Sequence, residues 1–277
     1  TNTLKSMGIE VRYADPSDPK NFEKLVDDKT RLFYAEVLPN PSLRVFPIKE
    51  VADIGRPHGI PLVVDNTACP VICKPIEHGA AIVMHSLTKF IGGHGTTMGG
   101  VIVESGDFPW DNGNFPTMTE PSKGYHGVRF YETFGDFGFT MKARMETLRT
   151  LGPSLAPMSA WLLLQGLETL HVRMDRHVSN ALKVANFLES HDCVSWVNFP
   201  GLASSPHFEL GKKYMPKGCG SIMTFGIKGG LNAGEEFIEA LEFFSHLANV
   251  GDAKSLVIHP ASTTHRQLSE EDQLKAG

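Results

Sequence analysis

Three short, uninterrupted apolar runs constrain this chain more than any other feature. They are Leu62-Val63-Val64, Ala80-Ala81-Ile82-Val83-Met84 and Gly100-Val101-Ile102-Val103. Each is too short for a helix and rich in β-branched residues, and none alternates polar with apolar. Such runs suit strands covered on both faces, hence a parallel or mixed sheet with helices on each side. Leu32 to Val37 reads as a further strand, closed by the turn Pro39-Asn40-Pro41. Ile48, Val51, Ala52 and Ile54 have the spacing of one helix face. The expected fold class is therefore α/β.

From Asp107 to about His126 the chain reads as a loop-like insertion, aromatic but full of turn residues. Helical spacing returns from Thr140. Ser159 is a candidate cap for a long helix through Trp161, Leu163, Leu164, Leu167 and Leu170. Val178, Ala181, Leu182, Ala185 and Leu188 form another amphipathic stretch. Strand-like runs follow at Cys193–Phe199 and Ser221–Ile227, then a helix from Ala233 to about Phe244. The expected division is 1–165 as a large domain and 166–277 as a smaller α/β domain.

Composition removes several classes. With 31 acidic against 26 basic side chains and a net charge of -5, nothing marks a nucleic-acid binder. No apolar run approaches the ~20 residues of a membrane span. Four cysteines are too few for a disulfide scaffold in 277 residues, so reduced thiols in a cytoplasmic protein are expected. The 12 histidines are scattered; no metal site is expected from their spacing.

Chemistry concentrates in His85-Ser86-Leu87-Thr88-Lys89, followed by Gly92-Gly93-His94-Gly95. The block follows the end of a strand, the edge at which open α/β sheets place ligands. Hydroxyls can bond a phosphate, and glycines allow close backbone approach. A lysine in a partly apolar pocket can capture an aldehyde. A surface lysine before a glycine turn explains the same residues equally well. Asp65, which ends the strand Leu62-Val63-Val64, shifts the balance. A carboxylate there can pair with a protonated ring nitrogen, although turn capping is the common role of such an Asp.

Together with Asn40-Pro41, Asp65-Asn66-Thr67 and Asp252-Ala253-Lys254-Ser255, this block resembles the Cys/Met-metabolism family of pyridoxal-phosphate enzymes, of fold type I. The resemblance covers essentially the whole chain. It implies a mostly parallel central sheet with helices on both faces, a smaller C-terminal domain and pyridoxal 5'-phosphate (PLP) as cofactor. By position it implies Lys89 as the catalytic, cofactor-anchoring lysine and Asp65 as partner of the pyridine nitrogen. Ser86 and Thr88 would contact the phosphate, Asn40 the phenolic oxygen, and Thr67 the pocket. Ser255, with Asn40, would lie near the substrate; a turn residue at Asn40 and a helix cap at Ser255 are the plainer readings.

Three stretches are similar to the sulfhydrylase branch, whose substrates are O-acetylhomoserine and sulfide. They are Glu104–Trp110 with Tyr125-His126-Gly127, Ser245–Asp252, and Ser262-Thr263-Thr264-His265. A γ-lyase or γ-synthase of the same family, or a non-catalytic sulfur-relay relative, are the rival readings. The resemblance also implies a homotetramer built from dimers. It further implies family segments before Thr1 and after Gly277 that clamp the cofactor phosphate and the substrate carboxylate. A chain of these residues alone is expected to bind cofactor poorly.

Overall fold

The computed structural model describes residues 2–269 and 271–273. A four-stranded sheet organises the first half, in the spatial order β1 (Phe33–Glu36), β2 (Leu62–Asp65), β3 (Ile82–Ser86), β4 (Gly100–Glu104). β1, β2 and β3 are parallel; β4 runs antiparallel to β3. The α/β class and the mostly parallel sheet are as expected. Side-chain alternation explains how the middle strands are buried on both sides. Val64 and Val83 face a large core with Ile48, Val51 and Ala52 of helix α1 (Ile48–Gly55). Ile82 and Val63 face a second cluster built from Phe108, Trp110, Met118 and Phe130.

β4 departs from the expectation of burial. Val101, Ile102 and Val103 are 36%, 52% and 42% exposed. The strand lies at the margin of the sheet, and among the described residues its outer edge pairs with no other strand. An apolar run thus marks a strand without marking its place in the sheet.

The segment 107–126 is loop-like but ordered by its aromatic rings. Trp110 packs against Phe108, Phe115 and Phe139 at centroid distances of 4.7, 5.0 and 5.1 Å. Its indole N–H donates to Glu104 at 3.1 Å. Helix returns earlier than Thr140, at Phe130–Phe134. The long helix is also cut differently. Helix α2 spans Pro157–Glu168 with Ala156 at its cap, so Ser159 lies inside the first turn and caps nothing. Proline is preorganised for a helix start, and that preference wins here. Thr169 then breaks the axis, and helix α3 (Leu170–Glu189) follows.

α3 lays Leu170, Met174, Ala181 and Ala185 into the same core as β1–β3. These residues share one face, and the alanines allow close approach. Beyond α3, strand β5 (Val194–Asn198) pairs antiparallel with β6 (Thr224–Ile227). Helix α4 (Phe208–Tyr214) lies between them, and α5 covers Gly230–Glu239 rather than reaching Phe244. A two-residue parallel pair, β7 (Ser245–His246) with β8 (Leu256–Val257), brackets the segment 247–255. Met174 is fully enclosed, at 0% exposure. Met174→Ala is expected to lower unfolding free energy by ~2–5 kcal/mol, measured by urea denaturation of the full protein. No helix among the described residues is long and apolar enough to cross a membrane.

All four cysteines are free thiols. Burial pushes Cys73 up to about 12 and Cys219 up to about 11, and Cys69, fully enclosed, also goes up. A raised value leaves less thiolate at neutral pH, and the thiolate is the reactive form. Only exposed Cys193 should therefore react rapidly with an aromatic disulfide in native protein, with all four reacting in denaturant. Rapid native labelling of Cys69 or Cys73 would contradict this packing.

Candidate active site

Parallel pairing brings the carboxyl ends of β1, β2 and β3 to one edge. Glu36 lies opposite Asp65, and Asp65 opposite Met84. The chain then makes a short turn, in which the Thr67 amide donates to Asp65 Oδ1 at 2.8 Å. The expected turn-capping role of Asp65 is thus real, and it occupies one oxygen. The other, Oδ2, lies 3.4 Å from the Tyr34 hydroxyl, a long contact. Thr67 joins the two strand ends: its Oγ1 accepts from the Ser86 amide at 2.7 Å.

Burial first, then the charges of Asp65 and Glu36, push the Tyr34 phenol up to about 12. It therefore stays protonated and able to donate. Burial, with Asp65 beside it, also raises Glu36. Glu36 and Asp65 put two carboxyl groups side by side at this edge, and nothing cationic among the described residues forms an ion pair with Asp65.

β3 runs directly into a wide turn, Leu87–Ile91, in which Lys89 has non-helical angles of φ -90° and ψ -125°. This places Lys89 beyond the strand end on a bent, not a helical, path. Its Nζ lies 3.5 Å from Asn249 Oδ1, too long for a strong bond, so the amine is largely uncommitted. Thr88 Oγ1 accepts from the Gly99 amide at 3.1 Å, and its hydroxyl makes only a long, weak contact of 3.5 Å to Gly99 O. The Ser86 hydroxyl makes no hydrogen bond among the described residues. Preceding it, His85 has a buried, unpartnered Nδ1, and burial lowers its pKa, keeping the ring neutral.

Asp65, Thr67, Ser86, Thr88 and Lys89 are therefore assembled at one edge. Asn40 and Ser255 stand apart from that network. Asn40 precedes a cis bond to Pro41 in an exposed turn beyond β1, as its plainer reading expects. Ser255 is exposed and leads into β8, so no helix follows for it to cap. It lies two residues after Ala253, whose amide donates to Gly93 O at 2.8 Å.

Asn249 was not anticipated from spacing. It belongs to a loop 160 residues from Lys89 and is held by a 3.1 Å bond from its Nδ2 to Asp252. Tyr34 was missed too, because a strand tyrosine carries no local signal. The Asn249-Val250-Gly251-Asp252 turn was the one available hint for the first.

An edge with a weakly engaged carboxylate oxygen, a largely uncommitted lysine and two hydroxyls fits a phosphorylated, aldehyde-bearing, basic ring. The sequence model of the Cys/Met metabolism PLP-dependent enzyme family matches residues 1–277. The chain belongs to that family. An O-acetyl-L-homoserine sulfhydrylase of Leptospira meyeri is 51% identical over 99% of this chain and 64% of its own length. A second, from Thermus thermophilus, is 47% identical over 99% and 66%. A Campylobacter jejuni structure containing N'-pyridoxyl-lysine-5'-monophosphate superposes with a TM-score of 0.93. It is 41% identical and covers 100% of this chain and 66% of that one. The chain thus spans about two thirds of the length of these relatives. The solved relatives share the fold-type-I frame, and in this chain Lys89 lies just beyond the carboxyl end of β3.

Proposed function

We propose that this chain carries the catalytic centre of an O-acetylhomoserine sulfhydrylase, joining O-acetyl-L-homoserine and sulfide to give L-homocysteine and acetate in methionine biosynthesis. The observation that supports it most is identity near one half, over 99% of the chain, to O-acetyl-L-homoserine sulfhydrylases. The arrangement around Lys89 supplies the chemistry.

Bound at this edge, PLP supplies an aldehyde for amine capture and a ring that takes up electron density. Lys89 Nζ would be the group that holds this aldehyde. The same amine, when not bonded, would serve as the base that takes the substrate Cα proton and returns it. Asp65 would pair with the protonated ring nitrogen, with the Tyr34 hydroxyl 3.4 Å from the same carboxylate. The Ser86 and Thr88 hydroxyls would hold the phosphate, Thr88 by turning from its long contact to Gly99 O. Thr67 holds the Ser86 amide and so keeps the two strand ends in register. By likeness alone, Asn40 is assigned to the phenolic oxygen and the substrate, and Ser255 to the substrate. Residues 1–165 would form the cofactor domain and 166–277 the smaller one.

We also assign the protein to the cytoplasm, which its four free thiols favour. We assign it to a homotetramer built from dimers, supported by the exposed apolar face of α2 with Trp161, Leu164 and Leu167.

Full-length protein supplied with O-acetylhomoserine and sulfide is expected to release homocysteine and acetate in equal amounts. Methionine alone should yield little methanethiol. Methanethiol as main product, or cystathionine when cysteine replaces sulfide, would move the assignment to another branch.

A further inference from the structure

The turn that carries Lys89 ends without a normal helix terminus. Gly92 N donates to Leu87 O at 2.8 Å and Gly93 N to Lys89 O at 2.8 Å. That leaves the carbonyls of Phe90 and Ile91, the two residues after Lys89, without backbone partners. Both point at one side chain. Arg173, in the first turn of α3, donates from Nη1 to Phe90 O at 2.6 Å and from Nη2 to Ile91 O at 3.1 Å. Nη2 also donates to Gly166 O at 2.7 Å, and Nε to Thr169 Oγ1 at 3.1 Å.

One planar guanidinium therefore ties the lysine turn to the end of α2 and the break before α3. Every partner is neutral: no ion pair involves Arg173 among the described residues. Its fork of fixed donors, rather than its charge, is what the site uses, and an ammonium cannot reproduce that fork. Glycines clear the space. A Cβ on Gly166 would lie 2.4 Å from Gly92 O, and one on Gly93, at φ +76°, 2.7 Å from Arg173 Nη1. Lys89 itself is bent out of helical geometry, so its direction depends on what clamps the following residues. Elsewhere the turn is held at its start by Leu87 N donating to Gly99 O at 2.9 Å and by Thr88 with Gly99, and after Lys89 by the Gly93–Ala253 bond, with a weak Asn249 contact at Lys89 itself.

We propose that Arg173 is the positioning residue for Lys89: by gathering the Phe90 and Ile91 carbonyls it sets the direction in which the lysine leaves the turn. Placement to within ~0.5 Å governs the reactivity of such a group. The proposal rests on Lys89 as the PLP-bearing lysine.

The test uses full-length protein freed of cofactor, with Arg173→Ala and Arg173→Lys variants. Hydrogen exchange without PLP comes first. The Gly92, Gly93 and Ala253 amides are expected to exchange at least ~10-fold faster in both variants, while the amides of β2 and β3 are unchanged. PLP is then added and its capture at Lys89 timed by borohydride quenching and peptide mass. Capture should slow ~10-fold or more in both variants, and added guanidinium ion should restore much of it in Arg173→Ala but ammonium should not.

Wild-type exchange at those three amides, or capture within twofold of wild type, would overturn the proposal. So would failure of guanidinium to restore capture. If wild-type protein never captures PLP at Lys89, the functional reading fails instead, and the exchange data still decide whether Arg173 holds the turn. If Arg173→Ala does not fold, Arg173→Lys carries both measurements.

Discussion

Lys89→Ala is expected to abolish covalent retention of PLP and to lower turnover of O-acetylhomoserine by ~10³-fold or more. The magnitude reflects two losses at one atom. The Nζ that holds the aldehyde disappears, and so does the base that moves the Cα proton. The variant should fold normally, because among the described residues Lys89 Nζ makes only the 3.5 Å hydrogen-bond contact to Asn249. Borohydride treatment followed by peptide mass analysis provides the check. Wild-type protein should gain a pyridoxyl phosphate on the peptide containing Lys89, and the variant should gain none. A variant that keeps the wild-type chromophore and activity would remove Lys89 from the mechanism.

The second large effect is expected at Asp65. Asp65→Asn keeps an oxygen for the Thr67 amide, so the turn after β2 should survive. It loses the charge that a protonated ring nitrogen needs, and turnover should fall ~10²–10³-fold. An independent readout comes from Tyr34. Its phenol stands at about 12 because of burial first and the Asp65 and Glu36 charges next. Removing the Asp65 charge lowers the cost of forming phenolate, so Tyr34 must titrate at lower pH in the variant. Ultraviolet difference spectra at alkaline pH would show this in cofactor-free protein. An unmoved Tyr34 titration would mean that Asp65 does not bear on the phenol.

What could be read from the residues alone follows from range. Leu62–Asp65 declares itself as a strand because its signal is local, and the ligand edge follows from strand direction. The block Ser86–Lys89 is legible for the same reason: all its chemistry lies within a few residues. The place of β4 is not local, and neither is its exposure; burial depends on what lies beside a strand. Ser159 was favoured as a cap because serine is a good one, but Pro157 starts the helix two residues earlier. Arg173 and Asn249 reach the Lys89 turn across 83 and 160 residues, and no spacing rule links such positions. Asn40 and Ser255 rest on likeness alone, for the structure gives neither a bond to the Lys89 turn.

Arg173 and Met174 are consecutive on α3. One faces the lysine turn, the other the centre of the core that β1–β3 share with α3. A substitution that lets α3 settle differently against the sheet must also re-aim the guanidinium. Tolerance of the core to drift is then limited by reactivity as well as by stability. Repacking that a thermal melt scores as harmless can still be costly here, and a compensating change for a weakened catalyst can lie deep in apolar territory, far from any polar group of the site.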